Sequence, residues 1–413
     1  MHSLSLDTLP ALAQRYGTPL WVYDAAIVAA QVEQLQAFDV IRFAQKACSN
    51  VHILRLMREQ GLAVDAVSLG EIERALHAGF SPQGSPAGVV LTADMLDRQT
   101  LARVIELDIE VNAGSIDMVQ QLGAAKPGHR VWLRINPGFG HGHSNKTNTG
   151  GENSKHGIWH TDLPQALAVI RQHGLHLVGL HMHIGSGVDY DHLKQVCDVM
   201  VTLVKQLGHD LEAISAGGGL SIPYREGESR IDPAHYFGLW DASRREIEAH
   251  LGHPVRLEIE PGRFLVAEAA VLLSEVRAVK DNGANHFVLV DAGFNDLMRP
   301  AMYGSYHRIS VLPAGGLPNL ALETRPTVVA GPLCESGDVF TQLEGGVVEP
   351  REMAQARVGD YLVFHDVGAY GASMSSNYNS RPLLAEVLIE QGVPRLIRRR
   401  QTIEELIALE TEV

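Results

Sequence analysis

The sequence predicts an α/β protein: a (β/α)8 TIM barrel followed by a mostly antiparallel β-domain. Three observations carry this reading. Between residues 26 and 268, short apolar runs and longer amphipathic runs alternate strictly, eight of each. After Glu268 the texture changes to short β-rich runs separated by glycine and proline turns. A chain of 413 residues is also long enough for two cores. The expected division is 26–268 for the barrel. Residues 1–25 and 269–413 form the β-domain, which takes in the N-terminal strand.

Taken in order, residues 8–16 read as a short helix and 19–23 as a strand. Barrel strands are expected at 41–44, 63–66, 88–91, 109–112, 131–135, 177–183, 213–216 and 255–259. A helix at 26–37 precedes the first of them. The others, at 51–60, 69–78, 97–107, 115–123, 163–172, 190–208 and 233–252, fall between strands. Further on, β-rich runs cover 271–279, 287–291, 327–330 and 361–365. No long amphipathic helix follows until 402–410. The chain has no internal repeat and no low-complexity tract.

With 45% hydrophobic and 20% charged residues, the composition is that of a soluble globular protein. A net charge of −14 argues against a general nucleic-acid partner, which would need a basic surface. The cluster Arg398-Arg399-Arg400 is too short to change that and reads as a solvated face. Cys48, Cys197 and Cys334 are far apart, with no metal-type or CxxC spacing, which fits a reducing compartment. The N-terminus has no basic region followed by a continuous apolar run, and no apolar stretch approaches membrane-spanning length. These features lead us to expect a cytoplasmic enzyme or binding protein.

In such barrels chemistry is done at the C-terminal ends of the strands. The run Val40-Ile41-Arg42-Phe43-Ala44-Gln45-Lys46-Ala47 delivers Lys46 there. A lysine in a low-dielectric pocket can lose its proton and bond to an aldehyde cofactor; in water it is an ordinary strand-end lysine. Asp65 and Glu71 flank the next strand end, and Arg134-Ile135-Asn136-Pro137 closes another. His181 and His183 share one face of a strand, as a structural pair or as ligands. Gly217-Gly218-Gly219-Leu220 lets backbone N–H groups approach a phosphate, or makes a turn. Glu258-Ile259-Glu260-Pro261-Gly262-Arg263 ends the eighth strand, where phosphate contacts are usual. A reactive lysine, a phosphate cradle, a ring-covering histidine and a carboxylate can all be used by pyridoxal 5′-phosphate. Glu260 is the informative one, because a carboxylate at the pyridine nitrogen keeps the ring an electron sink.

On these motifs the chain resembles the fold-type III (alanine-racemase-like) pyridoxal-phosphate decarboxylases, from Trp21 to about Leu406. The motifs are Gln45-Lys46-Ala47, His183-Ile184-Gly185-Ser186, Gly217 to Leu220, Glu260-Pro261-Gly262-Arg263, Cys334-Glu335-Ser336-Gly337-Asp338 and Ser376-Asn377-Tyr378-Asn379-Ser380-Arg381-Pro382. One departure is Cys48, where many members have Asn. The resemblance implies that Lys46 bonds to the cofactor's aldehyde, His183 covers the ring and Glu260 holds its nitrogen. It implies that Ser186, Gly219, Gly262 and Arg263 contact the cofactor, mainly its phosphate, with Tyr370 nearby. Asp65, Glu71 and Arg134 would surround Lys46, His183 and the ring oxygen, or form a structural ion-pair network.

In that family the Cys334 loop reaches into a partner's site, which implies a homodimer with two shared sites and Cys334 as the acid. The segments 291–296 and 299–303 would line the pocket. The implied reaction is decarboxylation of meso-2,6-diaminopimelate to L-lysine. Arg263, Arg299 and Glu335, with Tyr303 and Tyr370, offer a cation and an anion to its far-end carboxylate and ammonium. Ornithine, arginine and carboxynorspermidine are rival substrates. A non-catalytic barrel-only cofactor protein is the rival class, and the Cys334 loop argues against it. An alanine racemase would carry a tyrosine as its second acid/base. Finally, the polar, glycine-rich run 138–157 reads as a mobile lid rather than a metal site on His141 and His143. No metal is expected.

Overall fold

The computed structural model describes residues 6–140, 149–183, 189–315 and 323–411. The chain forms two compact units. One comprises Gln31–Ser221 and Ser229–Phe264; the other comprises Met1–Ala30, Ile222–Glu228 and Leu265–Val413. In chain order α1 (Leu9–Tyr16), β1 (Leu20–Asp24) and α2 (Ala25–Glu33) come first. The strands of the first unit are β2 (Val40–Ala44), β3 (Ala63–Ala66), β4 (Val89–Ala93), β5 (Glu110–Ala113), β6 (Arg130–Asn136), β7 (Ile158–Trp159), β8 (His176–His181), β9 (Ala213–Ser215) and β10 (Arg256–Ile259). All pair in parallel, and β10 pairs with β2, so eight strands close into a barrel while β7 extends one end of β6.

The intervening helices are α3 (Val51–Glu59), α4 (Leu69–His77), α5 (Arg98–Leu107), α6 (Ile116–Ala125), α7 (Leu163–His173), α8 (Tyr190–Leu207) and α9 (Pro233–Leu251). The sequence marks most of their starts. Asn50, Ser68, Asp97, Ser115, Asp189 and Asp232 each accept a backbone N–H of the first turn. Gly174, Gly208 and Gly252 end α7, α8 and α9 in the left-handed conformation that glycine adopts without a Cβ clash.

The barrel interior is polar, which the sequence reading did not anticipate. Side chains alternate along each strand, so Ile41 and Phe43 face one way and Arg42 the other. Arg42, Asp65, Thr92, Glu110, Asn112, Trp132, Arg134, His181, Ser215, Glu258 and Glu260 are all buried. Their mutual bonds place them inside. Arg42 Nε donates to Glu258 at 2.6 Å, Trp132 Nε1 to Glu110 at 3.1 Å, and Asn112 Nδ2 to Thr92 at 3.2 Å. The alternate positions, Val64, Leu91, Val111, Leu133, Leu180, Ile214 and Leu257, are apolar and almost fully buried.

The second unit builds a mixed sheet around β1. Its strands are β11 (Ala270–Asn282), β12 (Asn285–Val290), β13 (Ile309–Leu312), β14 (Thr324–Ala330), β15 (Arg351–Ala354), β16 (Tyr361–Phe364), β17 (Ala385–Glu390) and β18 (Val393–Arg398). Most pairs are antiparallel; β1–β17 and β12–β14 are parallel. A four-residue helix, α10 (Arg263–Val266), precedes β11, α11 (Arg299–Tyr303) lies between β12 and β13, and α12 (Ile403–Thr411) follows β18.

The triplet Arg398-Arg399-Arg400 is solvated only in part: Arg399 is exposed as expected, while Arg398 and Arg400 are half-buried. Arg398 pairs with buried Glu386 at 2.7 Å, Arg399 pairs with Glu405, and Arg400 donates to the carbonyl of Pro19 at 2.6 Å. Three guanidiniums therefore tie the C-terminal segment to β17, to α12 and to the turn before β1. Among the described residues, no helix is long and apolar enough to cross a membrane.

Candidate active site

Lys46 stands on a single 3-10 turn, Gln45–Ala47, immediately after β2. Buried Gln45 anchors that turn by donating from Nε2 to the Glu71 carbonyl at 3.1 Å. The Lys46 side chain is exposed in the single chain, not enclosed as a low-dielectric pocket would require. Gly262 packs against the same turn: a Cβ there would sit 3.2 Å from both the Ala44 carbonyl oxygen and the Ala47 Cβ. Arg263, half-buried, opens α10 directly after it.

Glu260 follows β10 and is 8% exposed. One carboxylate oxygen accepts from His181 Nε2 at 2.7 Å, while the other has only a 3.5 Å contact with the Ser215 hydroxyl. Burial alone would raise its pKa, but His181, Arg134 and Arg42 outweigh it and hold Glu260 below the usual carboxylate range. The neighbouring Asp65 goes the other way. Burial pushes it well above that range, and the charge of Glu260 pushes it further, against the opposing pull of Lys46. The two buried carboxyls are thus pushed in opposite directions by their surroundings.

His183 lies beyond β8, and its Nδ1 accepts the backbone N–H of Gly218 at 2.9 Å. That leaves the proton on Nε2 and fixes a neutral imidazole. Burial, with Arg134 and Lys46 adding repulsion, keeps its pKa well below the usual histidine value. The glycine run is required by contact. A Cβ on Gly218 would meet the Glu260 carbonyl at 2.6 Å and the His183 ring at 3.2 Å, and Gly219 has φ +100°. Arg134 is 7% exposed, and among the described residues no hydrogen bond or ion pair engages its guanidinium. Ser186 lies outside the described residues.

Glu71 acts at the start of α4, where its carboxylate accepts the Val67 N–H at 2.8 Å. Asn136 was quoted only as part of a strand end, yet it makes four bonds to the run 138–157. Its Oδ1 accepts from Gly138 and Gly151, and its Nδ2 donates to the carbonyls of Gly151 and His156. Asp94 bonds His156 and the Gly157 N–H, and the Thr149 hydroxyl donates to the His183 carbonyl at 2.8 Å. Residues 141–148 of that run, with His141 and His143, lie outside the described residues.

The remaining candidates belong to the β-rich unit. Arg299, 7% exposed at the start of α11, donates to the Tyr224 hydroxyl at 2.9 Å and the Ser305 hydroxyl at 3.2 Å. Tyr303 closes that helix. Tyr370 adopts a left-handed φ of 57° and is half-buried. Cys334 is exposed; its N–H donates to Asn379 Oδ1 at 2.9 Å, and Glu335 accepts from the Tyr378 hydroxyl. Tyr378 and Asn379 stand in a motif that the sequence singles out, but their partners, like that of Tyr224, are distant in the chain and not legible from it.

The residues at this end of the barrel fit pyridoxal 5′-phosphate. They offer one carboxylate oxygen of Glu260 without a close partner, a neutral imidazole pinned beside a glycine run, and a lysine at the adjacent strand end.

Residues 25–267 match the family described as pyridoxal-dependent decarboxylase, pyridoxal binding domain. A protein of Escherichia coli K12 named diaminopimelate decarboxylase is 68% identical over 407 residues, covering 98% of this chain and 97% of its own. A crystal structure titled diaminopimelate decarboxylase superposes with a TM-score of 0.96 at 67% identity, covering 99% of both chains. The Helicobacter pylori diaminopimelate decarboxylase complexed with L-lysine gives a TM-score of 0.86 at 31% identity, covering 98% of this chain and 99% of that one.

Proposed function

Because this chain belongs to the pyridoxal-dependent decarboxylases, and matches their diaminopimelate-cleaving members along its whole length, we infer that it converts meso-2,6-diaminopimelate to L-lysine and carbon dioxide. It is a carboxy-lyase acting at the last step of lysine biosynthesis, with pyridoxal 5′-phosphate as its cofactor. The observation that carries this is 68% identity over 407 residues to a protein of that name, with the barrel site intact.

Lys46 would hold the cofactor through its aldehyde carbon, and the group would supply an electrophilic carbon for the substrate amine and a ring able to accept the electron pair left when carbon dioxide departs. Glu260 would keep a proton on the ring nitrogen, its charge maintained by His181. His183, neutral and pinned by Gly218, would cover one face of the ring without adding a charge that competes with the ring's proton. Ser186, Gly219, Gly262, Arg263 and Tyr370 would hold the cofactor, chiefly at its phosphate. Cys334 would return a proton to the α-carbon. Arg263, Arg299, Tyr303 and Tyr370 would grip the distal carboxylate while Glu335 takes the ammonium. Those arginines would repel the cationic tail of ornithine or arginine.

The barrel, 26–268, would carry the cofactor, and residues 1–25 with 269–413 the contacts that complete it in a cytoplasmic homodimer. The test is turnover of diaminopimelate stereoisomers, ornithine and arginine side by side. A preference for meso-diaminopimelate over ornithine and arginine by at least about 30-fold is expected, since an unpaired buried charge costs roughly 2 kcal/mol or more. Comparable rates on ornithine would overturn the assignment.

A further inference from the structure

We infer that Tyr378 and Asn379 are positioning residues for the neighbouring pair Cys334 and Glu335, one holding the substrate-binding carboxylate and the other the proton donor. The inference rests on the roles given above to Cys334 and Glu335, and assigns what sets their geometry.

Both clamp residues sit on one tight turn. Asn379 and Ser380 have φ of 53° and 55°, a left-handed conformation that asparagine tolerates better than most residues. That turn lets two consecutive side chains reach the same distant loop. Asn379 Oδ1 accepts the Cys334 N–H at 2.9 Å, and the Tyr378 hydroxyl donates to the Glu335 carboxylate. The turn itself is tied down, since Asn377 Nδ2 donates to the Arg381 carbonyl at 2.9 Å and to Gln401 at 2.7 Å.

The contacts close into a circuit. The Tyr378 ring stacks on Phe294, with centroids 5.5 Å apart and planes at 23°. Phe294 donates its N–H to one oxygen of Asp338 at 2.7 Å, and Leu333, next to Cys334, donates to the other at 2.7 Å. Asp338 is buried between Gly293 and Gly331, where a Cβ would approach its Oδ2 to 3.2 and 2.4 Å. Cys334 is thus exposed at the thiol but fixed through the backbone on both sides. A group that must protonate one face of a carbon needs that kind of fixation.

The two halves of the clamp have separable signatures. Cys334 acts at the reacting carbon, so loosening it lowers kcat. Glu335 holds the far end of the substrate, so loosening it raises KM. In the holoenzyme, Asn379→Gly keeps access to the left-handed turn but removes the acceptor, and it is expected to lower kcat about 5- to 30-fold with little change in KM. Asn379→Asp keeps the acceptor and is expected to recover much of that loss. Its added negative charge beside the thiol should move the pH profile of Cys334 alkylation by iodoacetamide upward. Tyr378→Phe keeps the ring stack, and is expected to raise KM for diaminopimelate about 5- to 10-fold, more than it lowers kcat.

Cys334→Ala and Glu335→Ala are measured in parallel. If both turn over like wild type, the roles assigned to those two residues fail. If they are impaired while Asn379→Gly and Tyr378→Phe keep wild-type kinetics and Asn379→Asp keeps the wild-type alkylation profile, the clamp is refuted. Should Asn379→Gly fail to fold, the other two variants decide the matter alone.

Discussion

Single residues in this protein are set by the company that the fold gives them. Glu260 and Asp65 are both buried carboxyls near Lys46, yet His181 and two arginines keep the first ionised, while burial and the charge of Glu260 raise the second. That asymmetry makes Glu260 the residue able to hold a ring proton. Glu260→Gln is expected to bind the cofactor with its usual absorbance and to lose roughly 30- to 1000-fold in turnover, because a neutral amide cannot stabilise the pyridinium. Wild-type rates in that variant would remove Glu260 from the mechanism. Asp296 offers a test on stability. Burial pushes its pKa from 3.8 up to about 7, although the Gly293 N–H opposes the shift. The folded state keeps a proton there that the unfolded chain releases near 3.8. This group's contribution is therefore fully present below that value, declines as pH rises, and is lost above about 7. The stability of Asp296→Asn relative to wild type should rise with pH across that window, whatever its absolute value. A pH-independent difference by urea unfolding would mean that Asp296 is ionised in the fold.

Whole elements show what could be read in advance. The eight barrel strands lie where apolar runs predicted them, because the outward face of each must be buried under a helix and reads as hydrophobic in any context. Six helices open on an Asn, Ser or Asp that caps the first turn, which is local information of the same kind. The polar interior was not legible. Arg42 in Val40–Ala44 and Glu258 in Arg256–Ile259 each look like an interruption of an apolar run, and only closure of the barrel brings them to 2.6 Å. The motif that holds Tyr378 and Asn379 was legible, but its bond to the Cys334 loop was not, since Asn379 is 45 residues away. Lys46 and Glu260 were recognisable because their position at a strand end is local information. The Arg42–Glu258 pair carries its own expectation. Arg42→Met leaves buried Glu258 with only the longer 3.5 Å contact to Arg256, which should cost about 3–5 kcal/mol by chemical denaturation. Pairing it with Glu258→Leu should recover much of that loss. A single variant within about 1 kcal/mol of wild type would show that Arg256 or water satisfies Glu258 and that Arg42 is not its essential partner.

At the scale of the molecule, neither compact unit holds the whole proposed residue set. Lys46, His183, Glu260 and Arg263 lie in one, and Arg299, Cys334, Glu335 and Tyr370 in the other. The resemblance from sequence implies that the Cys334 loop serves the partner's cofactor rather than its own, which would make catalysis a property of the dimer. That arrangement has a numerical consequence. Lys46→Ala should be inactive, with no cofactor fixed to the protein by borohydride, and Cys334→Ala should be strongly impaired. In a mixed dimer of the two, twofold symmetry places both lesions in one site and leaves the other intact. Random exchange makes about half of all dimers mixed, and each has one working site of two, so roughly a quarter of wild-type activity should return. If each chain instead supplied both residues to its own site, every site would carry one lesion and mixing would restore nothing. Subunit exchange verified by mass, followed by unchanged inactivity, would therefore place Lys46 and Cys334 in the same chain's site.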